Sequence, residues 1–237
     1  MRFRKIISLL LATAFILSAC SNQSAQEKIY NHLEEAVSLE DTFRKQQKPL
    51  MELEEKEKKL YNQIIDLNME EFEQIKELSK EAASVVKERE EKLKSEKESI
   101  DAAKEEFDKI KPLIEDLSEE QSEAKELANQ LVEKMENRYN AYQDLYKAYQ
   151  NALDLDLELY EMLQQKDLTQ EELQKQVENI NASYNAVIKA NEQFNTYTNE
   201  YNELKKQFYD ASGLNVTYED SAGSESKDSQ NNSKETN

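Results

Sequence analysis

Apolar residues recur every three or four positions along most of this chain, which is the spacing of one face of a helix. The most regular stretch runs from Phe72 to Ile114, where 12 steps cover 42 residues, a mean of 3.5 residues per step. This is the coiled-coil repeat, and it predicts a helix that supercoils against a partner. Ser79, Arg89 and Glu96 interrupt this apolar stripe, and polar residues on such a seam set helix register more often than they form a site.

The first predicted helix runs from Ser24 to about Asp66. Pro49 lies inside it, where it removes one helical hydrogen bond, so a kink or break is expected at residues 46–48. A kink is favoured over a loop, because the apolar pattern resumes directly after the proline.

Capping residues divide the rest of the chain into three further helices. Asparagine, serine and threonine with an acidic or amide residue nearby mark helix starts, and a glycine marks a helix end. A single kinked helix from 68 to 165 is the alternative to a turn near Pro112, and it would form a rod of about 145 Å. The predicted boundaries are a second helix from Asn68 to a turn between Lys111 and Ser118, a third from Ser118 to Gln165, and a fourth from Thr169 to Gly213.

Near-equal helices with short turns predict an all-α fold, an antiparallel up-and-down four-helix bundle about 65 Å long with coiled-coil character. A three-helix arrangement is the alternative. The bundle domain is expected to cover residues 24–213. Residues 214–237 are rich in Ser, Asn, Asp and Glu, and we expect a disordered tail there. With only two glycines, two prolines and no tryptophan in 237 residues, sheet folds are disfavoured.

The N-terminus has the order of an export signal. A basic head is followed by a short apolar run and then by Leu17-Ser18-Ala19-Cys20, and the run is too short to span a membrane. These four residues resemble the bacterial lipobox, although a plain signal peptide with an incidental cysteine is the alternative. The resemblance implies cleavage by signal peptidase II between Ala19 and Cys20, and a diacylglyceryl lipid with acyl chains such as palmitate on the cysteine sulfur. Residues 1–19 would then be the signal peptide and 20–23 a lipidated tether.

The net charge limits the partners of the mature chain. The formal charge is −19, and loss of Arg2, Arg4 and Lys5 with the signal would make it −22. Such a chain would be repelled by nucleic acid and by an anionic membrane surface. The lipid on Cys20 would therefore supply the whole attachment to the cytoplasmic membrane, and no other cofactor is expected.

Tyrosines concentrate in the second half of the chain, where ten of the twelve lie at or after Tyr139 and many stand beside asparagines. Aromatic rings with neighbouring amides could form a sugar-binding face, but their three-four spacing favours core positions. His32 is the only histidine, so no histidine-based catalytic group is expected, and no metal-binding motif is present. The tyrosines considered for wall contact are Tyr139, Tyr142, Tyr146, Tyr184, Tyr197 and Tyr201.

The helical region is similar to the YkyA-like cell-wall binding lipoproteins of Gram-positive Firmicutes. The resemblance rests on stretches such as Met69-Glu70-Glu71-Phe72, Lys111-Pro112-Leu113-Ile114-Glu115, Arg138-Tyr139-Asn140-Ala141-Tyr142, Leu159-Tyr160-Glu161-Met162-Leu163 and Tyr201-Asn202-Glu203-Leu204-Lys205. It implies a four-helix fold, a lipid anchor in the outer leaflet of the cytoplasmic membrane and association with the wall. None of these stretches is a catalytic signature.

We therefore expect a membrane-anchored, wall-facing lipoprotein that binds or scaffolds at the cell wall without catalysis. Its partner would be peptidoglycan or a wall-associated protein. The alternative is a coiled-coil regulator or assembly module that acts only on protein partners at the envelope. A hydrolase with paired carboxylates is the weakest hypothesis, and the oligomeric state stays open.

Overall fold

The computed structural model describes residues 12–13, 23–214 and 216–218, and shows an all-α protein of four long antiparallel rods. Two 3₁₀ turns, Met69–Glu71 and Glu119–Gln121, lead into the second and third rods. The helices are α1 Ala25–Leu39, α2 Asp41–Ile65, α3 Phe72–Asp108, α4 Ile110–Leu113, α5 Ser122–Met162 and α6 Gln170–Ala211. The dipeptide strands β1 Ala12–Thr13 and β2 Thr217–Tyr218 pair antiparallel.

The up-and-down bundle predicted from the sequence is confirmed. Helices α5 and α6 pack together, as do α2 and α3, while α3 also packs on α5 and on α1. The stripe of the second rod faces helices α1, α2 and α5. Ser79, Arg89 and Glu96, the polar residues of this stripe, face them as well. Every one of its positions is buried: Phe72, Ile75, Ser79, Ala82, Val86, Arg89, Leu93, Glu96, Ile100, Ala103, Phe107, Ile110, Ile114 and Leu117.

The first rod has no loop at Pro49, as the sequence predicts, but it is divided at a position that the sequence does not predict. The chain passes through Pro49 in continuous helix, and the break lies nine residues earlier, at Glu40 between α1 and α2. Pro49 has no N–H to donate to the carbonyl of Lys45, four residues earlier, and Lys45 is exposed. At the break, the buried Glu40 side chain accepts two hydrogen bonds from Arg138.

Local capping signals place the turns correctly. Ser24, Asn68, Ser118 and Thr169 each form a capping box with the residue three positions later. Gly213 has a positive φ of 67° directly after α6, as a left-handed C-cap requires. The chain reverses between α4 and α5, at residues 114–118, so the alternative of one rod from 68 to 165 is excluded.

Three clusters of buried residues follow one another along the bundle. One surrounds Leu33 and Phe107 at the end where α1 begins, one surrounds Phe43 and Phe194 in the middle, and one surrounds Val86 and Leu153 at the far end. Within the part of the chain that the structure describes, no helix is long and apolar enough to cross a membrane. Ala19, Cys20 and residues 219–237 lie outside the described residues.

Candidate functional site

A buried arginine organises the far half of the bundle. Arg89, on the stripe of α3, is 1% exposed and donates from Nη1 to Glu57 on α2 and, at 3.4 Å, to Oδ2 of Asp156 on α5. Its Nη2 donates to the hydroxyls of Tyr149 at 2.9 Å and Tyr184 at 3.0 Å. One side chain of α3 thereby ties together α2, α5 and α6.

Each carboxylate around Arg89 is also bonded to one tyrosine hydroxyl. Tyr160 donates to Oε1 of Glu57 at 3.2 Å. The two other donor–acceptor pairs are Tyr149 with Oε1 of Glu54 and Tyr184 with Oδ2 of Asp156. Glu54 Oε1 also lies 3.4 Å from Arg89 Nη2. The Arg89 cluster is therefore Arg89, Glu54, Glu57, Asp156, Tyr149, Tyr160 and Tyr184.

The Arg89 cluster holds three carboxyl groups against one guanidinium. Burial, together with the charge of Glu57, raises the pKa of Asp156 to about 7. Burial also raises the pKa of Glu57, although Arg89 opposes that shift. The native fold therefore carries a carboxyl group that changes charge near neutral pH. Such perturbed groups in a cleft are typical of functional sites.

A cavity of about 300 Å³ opens beside this cluster, lined by residues of α2, α3, α5 and α6. Arg89, Glu54, Glu57 and Asp156 supply its charged wall. The mouth carries the exposed side chains of Lys58 and Asn181. The remaining lining residues are apolar or aromatic: Tyr61, Leu159, Tyr160, Val177, Ile180 and Tyr184.

The cavity exists because α6 is poorly covered over its first half. The apolar positions of α6 from Leu173 to Val187 are only half-buried, whereas Phe194, Tyr201 and Phe208 further along are buried. Helix α2 packs chiefly on α3, and α6 packs chiefly on α5. A cleft is therefore left between α2 and α6. Among the described residues, no group of three or more His, Cys, Asp or Glu is placed to hold a metal ion.

The cavity lies far from the start of the bundle. Glu57 follows Ala25 by 32 residues along α1 and α2, which corresponds to about 48 Å of helix. Glu57 is only eight residues before the end of α2 at Ile65. The cavity thus belongs to the end of the bundle opposite the start of α1.

Two further clusters of charged residues lie away from the Arg89 cavity. Arg138 donates to both oxygens of Glu40, at 2.6 and 2.8 Å, and lies over the rings of Phe194 and Tyr201. Nearer the N-terminal end, Lys205 lies 3.4 Å from Glu34 and over the ring of Tyr209. Because each of these cations is buried against a carboxylate and an aromatic ring, we interpret them as structural.

The structure does not gather the six tyrosines considered for wall contact on one exposed face. Tyr184 lines the cavity, while Tyr142 and Tyr201 are 1% and 3% exposed and belong to the core. The half-buried Tyr139 donates to Asp101 at 3.0 Å. Tyr146 and Tyr197 are also half-buried and pack against the middle cluster. Wall contact by any of these residues stays a prediction.

Sequence reasoning missed the Arg89 cluster. Its one visible signal was Arg89 itself, a charge on an otherwise apolar stripe, which was interpreted as a register-setting residue. Glu57 and Asp156 give no such signal, because the chain contains 50 acidic residues. Their role follows only from the register in which α2 and α5 pack beside α3.

The architecture defines an elongated helical-bundle protein with a polar cavity near the end remote from the start of α1. The family model YkyA, described as "Putative cell-wall binding lipoprotein", matches residues 24–211, and the chain belongs to this family. It is 38% identical over 205 residues to "Uncharacterized lipoprotein YkyA" of Bacillus subtilis (strain 168), which covers 86% of this chain and 91% of that protein.

A solved structure shares the fold. It is a crystal structure of a conserved protein of unknown function from Staphylococcus aureus, with a TM-score of 0.66 and 19% identity. The match covers 80% of this chain and 97% of that one. At this identity the likeness establishes the architecture alone.

Proposed function

We propose that this lipoprotein is anchored through Cys20 on the outer face of the cytoplasmic membrane and binds cell-wall material in the Arg89 cavity without catalysis. Family membership supports a lipoprotein at the wall. The cavity provides what a binding site needs, since apolar and aromatic walls enclose a few fixed polar groups.

The observation that carries the proposal is the position of the cavity. A lipid on Cys20 would hold the N-terminal end of the bundle at the membrane, because only a few residues separate it from Ser24. The cavity would then stand about 48 Å further out along the helices. This arrangement presents the site toward the wall and keeps it away from the lipid headgroups.

The charge of the protein limits which wall polymers can bind in the cavity. The acidic surface and the excess of carboxylates over guanidinium in the cavity disfavour polyanions such as teichoic acids. Peptidoglycan offers sugar rings and amides that can contact aromatic side chains and accept or donate hydrogen bonds. We therefore expect peptidoglycan stripped of teichoic acid to bind at least as well as complete walls, and a strict requirement for teichoic acid would contradict this.

Sedimentation with purified cell-wall sacculi tests the proposal, using the full lipidated chain in detergent. Asn181→Trp places a large ring at the mouth of the cavity and is expected to lower the bound fraction at least fivefold. Asn179→Trp makes the same change at an exposed position of α6 that does not line the cavity, and should bind as the unaltered protein does. Equal binding by both variants would show that the cavity does not bind the wall. Release of soluble wall fragments would contradict the absence of catalysis.

Exposed apolar side chains favour the second candidate function, a module that acts only on protein partners. Ile65 and Met69, on either side of the turn between α2 and α3, are 56% and 63% exposed. Apolar residues at the far tip of a bundle suit a protein contact. Crosslinking in cells at Met69 separates the two functions. A module that acts only on proteins should be crosslinked to a protein and should not become attached to sacculi.

A further inference from the structure

We propose that the Arg89 cavity recognises a primary ammonium group, and that its ligand is a wall peptide segment with a free side-chain amine. This inference rests on the proposed function and names the chemical class of its ligand. It derives from the hydrogen-bond capacity of the cavity, from its charge and from the unsatisfied nitrogen of its arginine.

Two carboxylates of the cavity wall can offer a second oxygen to a ligand. Glu54 and Asp156 each use one oxygen to bind Arg89 and a tyrosine. The second oxygens, Glu54 Oε2 and Asp156 Oδ1, take no part in these bonds. An ammonium group has three N–H donors and no acceptor, so it matches a wall that offers carboxylate oxygens from two different helices.

The charge of the cavity points to the same class of ligand. Three carboxyl groups face one buried guanidinium, and the exposed Lys58 at the mouth is the only other cation in the lining. An anion would add to the imbalance, whereas a cation relieves it. A metal ion fits less well than an organic cation, since the described carboxylates are not placed as a ligand set.

The cavity also fits the rest of an aminoalkyl side chain. Leu159, Val177 and Ile180 offer apolar contact to a methylene stem. The rings of Tyr61 and Tyr184 line the same space, and tyrosine faces attract ammonium groups. The walls thus suit a short apolar chain that ends in a positive charge.

Arg89 has one side-chain donor without a partner. Its side chain is 2% exposed and lines the cavity, yet its Nε has no hydrogen-bond partner among the described residues. A buried N–H without an acceptor is destabilising. Nε is closed to solvent in this arrangement, so a carbonyl oxygen of a bound peptide would accept from it only after the neighbouring side chains move.

Protons should compete with the amine for the carboxyl groups of the cavity. Glu54, Glu57 and Lys58 face the cavity from α2, Arg89 from α3, Asp156 from α5 and Tyr184 from α6. Acidification protonates Asp156 and Glu57, because burial raises the pKa of both carboxyl groups. Amine binding should therefore weaken at least threefold between pH 8 and pH 5.5.

The test compares untreated sacculi with sacculi whose free amines have been acetylated, using the full lipidated protein in detergent. Acetylation removes the positive charge and leaves the glycan intact, so we expect at least a tenfold loss of affinity. Calorimetry with a soluble peptide that carries one free lysine amine, and with the same peptide acetylated, should show the same difference.

Paired variants connect the loss to the cavity. Asp156→Asn and Glu54→Gln should each weaken binding of the free-amine peptide at least fivefold. Asp154→Asn and Glu55→Gln, at exposed neighbouring positions of the same helices, should leave it unchanged. Thermal unfolding of all four variants confirms the fold, and the acetylation experiment needs no variant.

The outcomes separate the two proposals. No binding to untreated sacculi would overturn the proposed function itself. Binding that survives acetylation would overturn the ammonium proposal, and if Asn181→Trp still abolished it, the cavity would hold a neutral sugar. Acetylation could also lower the affinity of Asp156→Asn and of the unaltered protein equally. Amine recognition would then lie outside the cavity, and this inference would be overturned.

Discussion

Replacing Glu96 by glutamine should stabilise the protein at neutral pH. Glu96 is 4% exposed on the α3 stripe, and its Oε1 accepts a hydrogen bond of 2.6 Å from Gln47. Burial raises the pKa of this carboxyl group from its ordinary value of 4.5 to about 8, although Gln47 opposes the shift. At pH 7 the native state therefore holds a proton that the unfolded state has released.

The difference in pKa sets the magnitude and its dependence on pH. Because the folded pKa is the higher one, the contribution of Glu96 is fully present below pH 4.5 and is lost as pH rises toward 8. At pH 7, holding the proton costs up to about 3 kcal/mol, at roughly 1.4 kcal/mol per pH unit above 4.5. Glutamine has nearly the same shape as a protonated glutamate and needs no proton to be neutral. The stabilisation by Glu96→Gln should therefore vanish near pH 4 and should be larger at pH 9 than at pH 7.

Urea unfolding followed by far-ultraviolet circular dichroism at pH 4, 7 and 9 measures this effect. Glu98→Gln, at an exposed position of the same helix, is the matched control and should change the free energy of unfolding by less than about 0.5 kcal/mol. If Glu96→Gln is neutral or destabilising at pH 7 and 9, the argument that Glu96 is buried and protonated is refuted.

Three further substitutions probe the anchor, a closed ion pair and a helix end. Cys20→Ser should release the protein from the membrane or leave its signal uncleaved, and stable lipid anchoring of this variant in fractionated cells would contradict the assignment. Arg138→Met should cost about 3–5 kcal/mol in urea unfolding because it strands the buried Glu40, and adding Glu40→Gln should recover much of that loss. Gly213→Ala should cost about 1–2 kcal/mol in the same assay, since φ is 67° and no neighbouring atom lies within 4 Å of the new carbon.

Features that depend on neighbours in sequence could be predicted well. The capping boxes at Ser118 and Thr169 and the left-handed glycine at 213 are local, since each involves residues within one turn of helix. The stripe from Phe72 to Leu117 could be predicted for the same reason, because a helix face is fixed by spacing alone.

Features that depend on packing between distant helices could not be predicted. The break between α1 and α2 lies at Glu40, which binds an arginine 98 residues away, whereas α2 continues through Pro49. The candidate site has the same origin. Arg89 meets Glu57 and Asp156 across separations of 32 and 67 residues, and no periodicity in one helix specifies that register.

The central claim is that the mouth of the cavity contacts the wall in the living cell. The most direct measurement is photocrosslinking in cells, with a photoreactive phenylalanine analogue at position 181 or, as the control, at position 179. Sacculi are then boiled in detergent and the covalently attached protein is quantified. The account predicts attachment through 181 that exceeds attachment through 179 by at least fivefold, and equal attachment at both positions, or none at 181, would contradict it.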